Sequence, residues 1–304
     1  MSARVIFMGS PDFAVPSLEA LHAHEQVVMV ITQPDRPAGR GRLPQPCAVR
    51  QSAQRLGLPT LQPESLRKAP VQQTLAALEP DLIVVAAFGQ ILPQAVLDIP
   101  TKGCLNVHAS LLPRWRGAAP IQAAIAAGDT RTGVTIMRMD SGLDTGPIIT
   151  QREIPLRPQT TAEELSLQLS YLGARALMDV LPSYLSGMVA PLPQDESQST
   201  YAPRLKKTDG LLDFNLPADV LARKVFAYQP WPGTYFFFDG HQVKVNEAHT
   251  HDTFESEPGS RYVVNNRPAI GTGQGLLVLD QLQMEGRKNL PGEEFLRGQT
   301  RWLE

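Results

Sequence analysis

The sequence predicts an α/β protein with a mostly parallel sheet, followed by a small domain built largely of β-strands. Short apolar runs of the buried-strand type alternate with helical stretches as far as residue 187. A polar, proline-rich segment then occupies residues 188–203. Beyond this segment, one helical stretch precedes several short runs of strand-like composition. These observations divide the chain into two predicted domains joined by a linker.

The strands of the first domain are predicted from apolar runs that suit burial on both faces of a sheet. They cover residues 4–8, 27–32, 81–87, 103–108 and 134–139. Helices are expected after Asp12, near 47–56 and 70–78, and from Thr160 or Thr161 to Leu185. Because strands that alternate with helices form βαβ units, we expect a doubly wound, Rossmann-like sheet covered on both faces.

The second domain shows a different pattern, with one helix near 217–227 and then only short strands. The strand-like runs are residues 234–238, 241–248, 260–264, 268–272 and 275–283. Such a series predicts a small β-barrel or sandwich. The predicted domains are therefore residues 1–187 and 207–304, with residues 188–206 as the linker.

Composition narrows the class of protein. Of 304 residues, 42% are hydrophobic and 19% charged, which is typical of a packed globular chain rather than a disordered one. Cys47 and Cys104 form no Cys-x-x-Cys pair, and the six histidines show no ligand spacing, so we expect neither disulfides nor a metal site. No signal peptide and no apolar run of roughly 18 residues is present, which predicts a cytoplasmic protein without membrane segments.

Polar side chains end the predicted strand 103–108. Asn106 and His108 are two residues apart, so their side chains point to the same face of the strand. They fall at the carboxyl end of the strand, where open α/β sheets bind ligands. The glycine-flanked loop after strand 134–139 contains Asp144, which we expect beside His108. Taken singly, each residue also fits a structural role, as a strand-end side chain or a turn aspartate.

Together these residues carry a resemblance. Asn106, His108 and Asp144, with the stretch SLLPRWRGAAPIQ from Ser110 and GVTIMRMDSGLDTGP from Gly133, closely resemble the active-site signature of folate-dependent formyltransferases. The resemblance covers essentially the entire chain. It implies an enzyme that moves a formyl group from 10-formyltetrahydrofolate to an amine.

The residue types suit this chemistry. An amine that attacks a formyl group produces a tetrahedral intermediate with an oxyanion. The Asn106 amide is suited to donate a hydrogen bond to that oxygen, and His108 to hold a proton near neutrality. Our hypothesis is that Asn106 and His108 stabilise the oxyanion, while Asp144 helps to move the amine proton to N10 of the folate.

The resemblance also indicates where the folate binds. The run from Phe88 to Pro93 looks like the family's pterin site, which implicates four residues: Phe88, Gly89, Ile91 and Leu92. A second stretch looks like the segment that contacts the folate, namely Ser110, Leu111, Leu112 and Pro113. Without the resemblance, Ile91 and Leu92 would be interpreted as core residues.

The acceptor is predicted from a basic loop. The stretch QPDRPAGRGR from Gln33 contains Arg36, Arg40 and Arg42 in a Gly/Pro framework that we expect to be neither helix nor sheet. Its sequence is similar to an insertion found in the family members that formylate initiator methionyl-tRNA. These enzymes use the insertion to reach the acceptor arm of the tRNA. The resemblance therefore implies initiator methionyl-tRNA as partner, with Arg40 at the unpaired end of the acceptor stem.

The second domain fits this acceptor less directly. In these family members a small OB-like barrel contacts tRNA, and the segment 227–233 is similar to its N-P-W-P segment, although Trp231 also fits a plain packing role. Residues 208–304 contain nine Lys or Arg against thirteen Asp or Glu, so the domain is acidic. Phosphate contacts are therefore expected from Arg204 and Lys206 in the linker and from Lys207 directly after it.

The sequence also allows alternatives to a formyltransferase that acts on initiator methionyl-tRNA. A formyltransferase acting on an amino-sugar nucleotide would also carry a C-terminal barrel, and a non-catalytic tRNA-binding module could keep the same fold. A nicotinamide oxidoreductase is poorly supported, because the first turn, Gly9 to Phe13, lacks G-x-G-x-x-G. We expect a monomer that binds folate and tRNA.

Overall fold

The computed structural model of the chain describes residues 2–38, 43–252, 256–299 and 301–303. Its elements begin with β1 (Arg4–Gly9), α1 (Val15–His24), β2 (Gln26–Ile31), β3 (Arg36–Ala38), β4 (Leu43–Gln45), α2 (Ala48–Arg55), β5 (Thr60–Leu61), α3 (Ala69–Ala76), β6 (Leu82–Ala86), α4 (Gln94–Leu97), β7 (Cys104–His108), β8 (Arg116–Gly117), α5 (Pro120–Ala127), β9 (Arg131–Arg138) and β10 (Ile148–Pro155). They continue with α6 (Ala162–Leu185), β11 (Tyr201–Ala202), α7 (Ala218–Ala227), β12 (Thr234–Phe238), β13 (His241–His251), β14 (Arg261–Val264), β15 (Arg267–Gly271), β16 (Leu276–Met284), β17 (Leu290–Pro291) and α8 (Gly292–Arg297).

The chain forms two compact units. The first comprises Met1–Gly117, Thr132–Ile154 and Ser166–Tyr201. The second comprises Ala118–Arg131, Pro155–Leu165 and Ala202–Glu304. Residues 188–201, which the sequence places in a linker, belong to the first unit.

A seven-stranded sheet forms the centre of the first unit, in the order β10-β9-β7-β6-β1-β2-β5. The five strands from β7 to β5 in this order run parallel, and β9 is antiparallel to β7. Every residue of β6 is buried, because its LIVVA sequence suits a strand covered on both faces. The Rossmann-like α/β sheet is therefore confirmed, as a sheet of mixed direction with a parallel majority.

The carboxyl ends of the parallel strands define one edge of this sheet. The chain passes from β1 to β2 on one side and returns through β6 on the other, so the topological switch lies between β1 and β6. A Cβ on Gly9, the last residue of β1, would lie 2.8 Å from Ala86 O, so only glycine allows the strands to close here. In β7, Asn106 is in register with Val85, which places it at the same edge.

Helix α6 packs directly behind β7. Its start is a capping box, in which Thr161 Oγ1 accepts from Glu164 N at 3.2 Å and Glu164 Oε2 accepts from Thr161 N at 3.0 Å. Farther along, a Cβ on Gly173 would lie 2.6 Å from Val107 Cγ1, so this glycine allows close approach to the strand. The helix thus supports the strand that carries Asn106 and His108.

The arginine-containing loop departs from the prediction. Strand β3 pairs antiparallel with β4, so part of the stretch expected to be neither helix nor sheet is a short ribbon. The sequence argued against a sheet here because proline lacks the N–H group that strand pairing uses. In the structure, however, Pro37 and Pro44 lie opposite each other. In a two-stranded ribbon such a non-hydrogen-bonded pair needs no N–H donor, so proline is tolerated.

The second unit contains an antiparallel sheet in the order β12-β13-β16-β15-β14, with β17 paired to β16. Aromatic side chains fill its core, where the buried Trp302 ring lies 5.3 Å from the Phe238 ring and 5.9 Å from that of Phe295. Trp302 Nε1 donates to Tyr262 O at 2.8 Å, which satisfies its polar atom. A C-terminal antiparallel domain is therefore confirmed, whereas its closure into an OB-like barrel stays a prediction.

Across the described residues, no helix is both long enough and apolar enough to cross a membrane.

Candidate active site

Three polar side chains meet at the carboxyl end of β7. Asn106 is half-buried and His108 is 5% exposed, and both point to the same face of the strand. The Asp144 carboxylate reaches both of them. Its Oδ1 lies 3.4 Å from Asn106 Nδ2, and its Oδ2 lies 3.7 Å from His108 Nδ1. The structure thus brings together the amide, the imidazole and the carboxylate that the sequence singles out.

The loop between β9 and β10 delivers Asp144. Asp140 Oδ1 accepts from Thr145 Oγ1 at 2.7 Å, which closes the loop upon itself. Asp144 has a left-handed backbone conformation with φ +53. A Cβ on Gly146 would lie 1.9 Å from Arg138 O, so the loop returns to β9 only with glycine at that position. This sharp path turns the carboxylate towards β7.

The tautomer of His108 follows from its partner. His108 Nε2 lies 3.0 Å from Trp115 O, and a carbonyl oxygen only accepts hydrogen bonds, so Nε2 carries a proton. Nδ1 then faces Asp144 across 3.7 Å, which exceeds a hydrogen bond.

The backbone that follows Trp115 also orients Asp144. Gly117 N donates to Asp144 Oδ2 at 2.8 Å. Trp115 N donates to Thr200 Oγ1 at 2.9 Å, which anchors this stretch within the first unit. One short segment therefore supplies backbone partners to both His108 and Asp144.

The predicted folate segment 110–113 is shaped by a buried hydroxyl. Thr135 Oγ1 donates to Ser110 O at 2.7 Å and accepts from Leu112 N at 3.1 Å. Ser110 and Leu112 are buried, whereas Leu111 and Pro113 are half-buried. Ser110 O and Leu112 N thus form hydrogen bonds within the protein that stabilise the conformation of this turn.

The predicted pterin segment lies after β6, the strand beside β7. Phe88 and Leu92 are buried in the hydrophobic core of the sheet, as plain core residues would be. Gly89 is exposed with φ +82, and Ile91 is 74% exposed. Gln33 Nε2 donates to Phe88 O at 3.1 Å and so holds the segment in place. Its accessible groups are therefore backbone at Gly89 and one apolar side chain.

The predicted tRNA contacts fall in two places. Arg204, Lys206 and Lys207 are exposed at the start of the long C-terminal part of the second unit. The backbone of Arg36 opens β3. Arg40 and Arg42 lie outside the described residues.

Two residues near the site carry no functional prediction from the sequence. Arg116 is fully buried, and its Nη1 and Nη2 donate to the two carboxylate oxygens of Glu196 at 2.8 and 2.7 Å. These hydrogen bonds raise the pKa of Arg116 and lower that of Glu196. Gln194 contacts the Asp144 loop. A glutamine in a proline-rich segment gives no sequence signal for such a contact, which depends on packing between residues far apart in the chain.

The thiol of Cys104 adds no nucleophile to this site. Burial raises the pKa of the Cys104 thiol to about 12, so this residue, two positions before Asn106, stays protonated and is no nucleophile near neutral pH. Within the part of the chain that the structure describes, no three His, Cys, Asp or Glu side chains are grouped to hold a metal ion.

Comparison with protein families identifies the chain. The sequence model described as formyl transferase matches residues 3–181, and that of the formyl transferase C-terminal domain matches residues 204–300. The chain belongs to the formyl transferase family. It is 45% identical, over 98% of both chains, to the methionyl-tRNA formyltransferase of Hydrogenovibrio crunogenus. Asn106, His108 and Asp144 lie within the part matched by the first family model.

Solved structures share the fold of this chain. An N-formyltransferase from Helicobacter canadensis, in complex with folinic acid and dTDP-3-aminofucose, matches 91% of this chain and 98% of its own with a TM-score of 0.67 and 17% identity. HypX from Aquifex aeolicus, in complex with tetrahydrofolic acid, matches 97% of this chain with a TM-score of 0.62 and 18% identity. The chain spans about half (47%) of HypX. At these identities the likeness is one of fold.

Proposed function

We propose that the chain transfers the formyl group of 10-formyltetrahydrofolate to the amino group of the methionyl moiety of initiator methionyl-tRNA. The product is N-formylmethionyl-tRNA for translation initiation. One observation carries the proposal: Asn106, His108 and Asp144 converge at 3.4 and 3.7 Å in a chain that matches a methionyl-tRNA formyltransferase along 98% of its length.

Each of the three side chains has a distinct role in this proposal. The Asn106 amide donates a hydrogen bond to the formyl oxygen as that oxygen gains negative charge. His108, whose Nε2 is held by Trp115 O, faces the gap beside Asp144 with Nδ1, and it stabilises the same developing charge in the imidazolium form, in which Nδ1 also carries a proton. Asp144 accepts the proton that the attacking amine must lose and directs it towards N10 of the folate. Its hydrogen bond from Gly117 N keeps the carboxylate in place for this transfer.

The residues after β6 and β7 fit a folate. When bound, 10-formyltetrahydrofolate supplies the formyl carbon. The accessible backbone of Gly89 and the exposed side chain of Ile91 suit a flat heterocycle, with Phe88 and Leu92 forming the rigid core beneath. The segment Ser110, Leu111, Leu112 and Pro113 lies directly after β7, so it suits the adjoining part of the same molecule.

The proposed contacts with tRNA come from basic residues on both sides of the active site in sequence. They are Arg36, Arg40, Arg42, Arg204, Lys206 and Lys207. In this scheme residues 1–187 form the catalytic domain, 188–206 the linker, and 207–304 an OB-like domain that supports the acceptor. The protein would act in the cytoplasm as a monomer.

The choice of acceptor is the decisive test. Purified protein is supplied with 10-formyltetrahydrofolate and, separately, with charged initiator tRNA, charged elongator tRNA, an amino-sugar nucleotide or glycinamide ribonucleotide. We expect kcat/KM to be highest for charged initiator tRNA. A higher value for the sugar nucleotide would assign the alternative formyltransferase function, and no turnover with any amine would favour a tRNA-binding module.

A further inference from the structure

The loop that carries Asp144 is tied to a segment 50 residues away. Gln194 Nε2 donates to Asp144 O at 2.8 Å and to Gly146 O at 2.7 Å. These two carbonyls belong to the turn that directs the Asp144 carboxylate towards β7. A single side-chain amide therefore holds the turn at two points.

The orientation of this amide is chemically determined. Gln194 Oε1 accepts from Arg116 Nε at 3.0 Å and from Arg116 Nη2 at 2.7 Å. Because a guanidinium only donates and a carbonyl only accepts, the amide fits in one orientation only. Both of its hydrogens and its oxygen are used, so it is held on each side.

Arg116 is itself immobilised. Its side chain is fully buried and is paired with Glu196 through two hydrogen bonds. It also lies between Trp115, whose carbonyl faces His108, and Gly117, whose N–H donates to Asp144. Arg116 thus holds Gln194 from a segment whose backbone also contacts His108 and Asp144.

We infer that Gln194, oriented by Arg116, is a positioning residue that sets the Asp144 carboxylate relative to Asn106 and His108. The inference rests on the proposed role of Asp144 in formyl transfer. A segment that the sequence predicts only as a linker would then affect the rate of chemistry. Gln194 acts through the loop and contacts no substrate in this scheme.

The substitution Gln194→Glu tests this inference. A glutamate keeps an acceptor for Arg116 but loses both donors, so carboxylate oxygen replaces N–H against the carbonyls of Asp144 and Gly146. Misplacement of a reacting group by about 1 Å costs about 10²-fold in rate. We therefore expect kcat to fall about 10²-fold, with KM for tRNA and folate within about threefold of the parent. A kcat within threefold of the parent would overturn the inference.

Controls separate positioning from damage to the fold. Gln73→Glu makes the same substitution at an exposed glutamine of α3, in the first unit, and it should retain parental kcat. Thermal melting reports folding of each variant. If Gln194→Glu does not fold, Gln194→Met removes the same donors without adding charge, and it should show the same loss of kcat.

A double substitution distinguishes the possible failures. In the Asp144→Ala background, single-turnover rates should change by less than about threefold on adding Gln194→Glu, since residues that act as a unit are not additive. A further loss of about 10²-fold would indicate general damage and would overturn the inference. If Asp144→Ala alone retains near-full rate, the proposed role of Asp144 fails and the inference fails with it.

Discussion

Asp144 combines two properties that few residues share. Its φ of +53 is uncommon for a residue with a side chain, but aspartate and asparagine tolerate this region better than others. Asparagine would accept the backbone conformation without supplying a charge. The carboxylate receives hydrogen bonds from Gly117 N and Asn106 Nδ2, which orient it towards β7. An aspartate at this position therefore meets both the backbone and the chemical requirement.

Replacing Asn106 should separate transition-state stabilisation from binding. Removing one donor to a developing oxyanion typically lowers kcat by about 10²–10³-fold. We expect Asn106→Ala to show such a loss with KM for both substrates changed only a few-fold, in steady-state assays with initiator methionyl-tRNA. Asn215→Ala removes an exposed amide of the second unit and should leave kcat at the parental value. A variant at position 106 with more than half the parental rate would contradict the proposed role.

Among the elements, the turn Glu196–Gln198 matters because it brings Glu196 to the buried Arg116. A buried guanidinium without a carboxylate would be costly, since its charge would be left without compensation. The hydrogen bonds from Arg116 lower the pKa of Glu196. The free energy of this pair therefore depends on the ionised carboxylate.

The pH dependence of stability should report this pair. Because the pKa of Glu196 is lower in the folded than in the unfolded chain, its contribution is present above the unfolded value of roughly 4.3 and is lost as the pH falls through the folded value. Glu196→Gln should therefore lower Tm at neutral pH, and the gap to the parent should shrink below about pH 4. Calorimetric melts from pH 7 to 3 measure this. Glu163→Gln, in the exposed first turn of α6, separates the effect from loss of one surface charge. A gap that does not change with pH would contradict the prediction.

Elements with a strong local pattern could be predicted from the sequence. The predicted strand 234–238 has the predicted bounds, and helix α6 covers Ala162–Leu185, where the sequence predicts a helix from Thr160 or Thr161 to Leu185. The sequence does not predict strand β10, because none of its residues is buried and their exposure shows no strict alternation. Helix α8 was missed because six residues give too little periodicity.

The site could be predicted only in part, for a physical reason. Strand periodicity predicts that Asn106 and His108 share a face, and the glycine-flanked loop predicts that Asp144 lies beside them. Their role in the site is implied only by the family resemblance. The contacts of Gln194 and Arg116 depend on packing between segments 78 residues apart. No local pattern encodes such a contact, so the residues that hold Asp144 appear only in the folded chain.

For the whole molecule, the distribution of charge limits how tRNA is bound. The formal net charge is −2, and residues 208–304 contain more acidic than basic side chains. The protein as a whole therefore does not attract a polyanion, and affinity must come from a few local cations. Lys206 and Lys207 form an exposed basic pair near the start of Ala202–Glu304, the longest segment of the second unit.

The salt dependence of tRNA binding should count these contacts. Each cation that neutralises a phosphate contributes about 0.7 to 0.9 to the slope of log affinity against log salt. Replacing Lys206 and Lys207 together by glutamine should therefore reduce the magnitude of this slope by about 1.4 to 1.8, measured by binding of initiator methionyl-tRNA from roughly 50 to 200 mM salt. Arg67 and Lys68 form a matched exposed pair in the first unit, and their replacement by glutamine should leave the slope unchanged. Equal slopes for the parent and the Lys206/Lys207 variant would place the phosphate contacts elsewhere on the protein, because counterion release depends only on the charges that meet the nucleic acid.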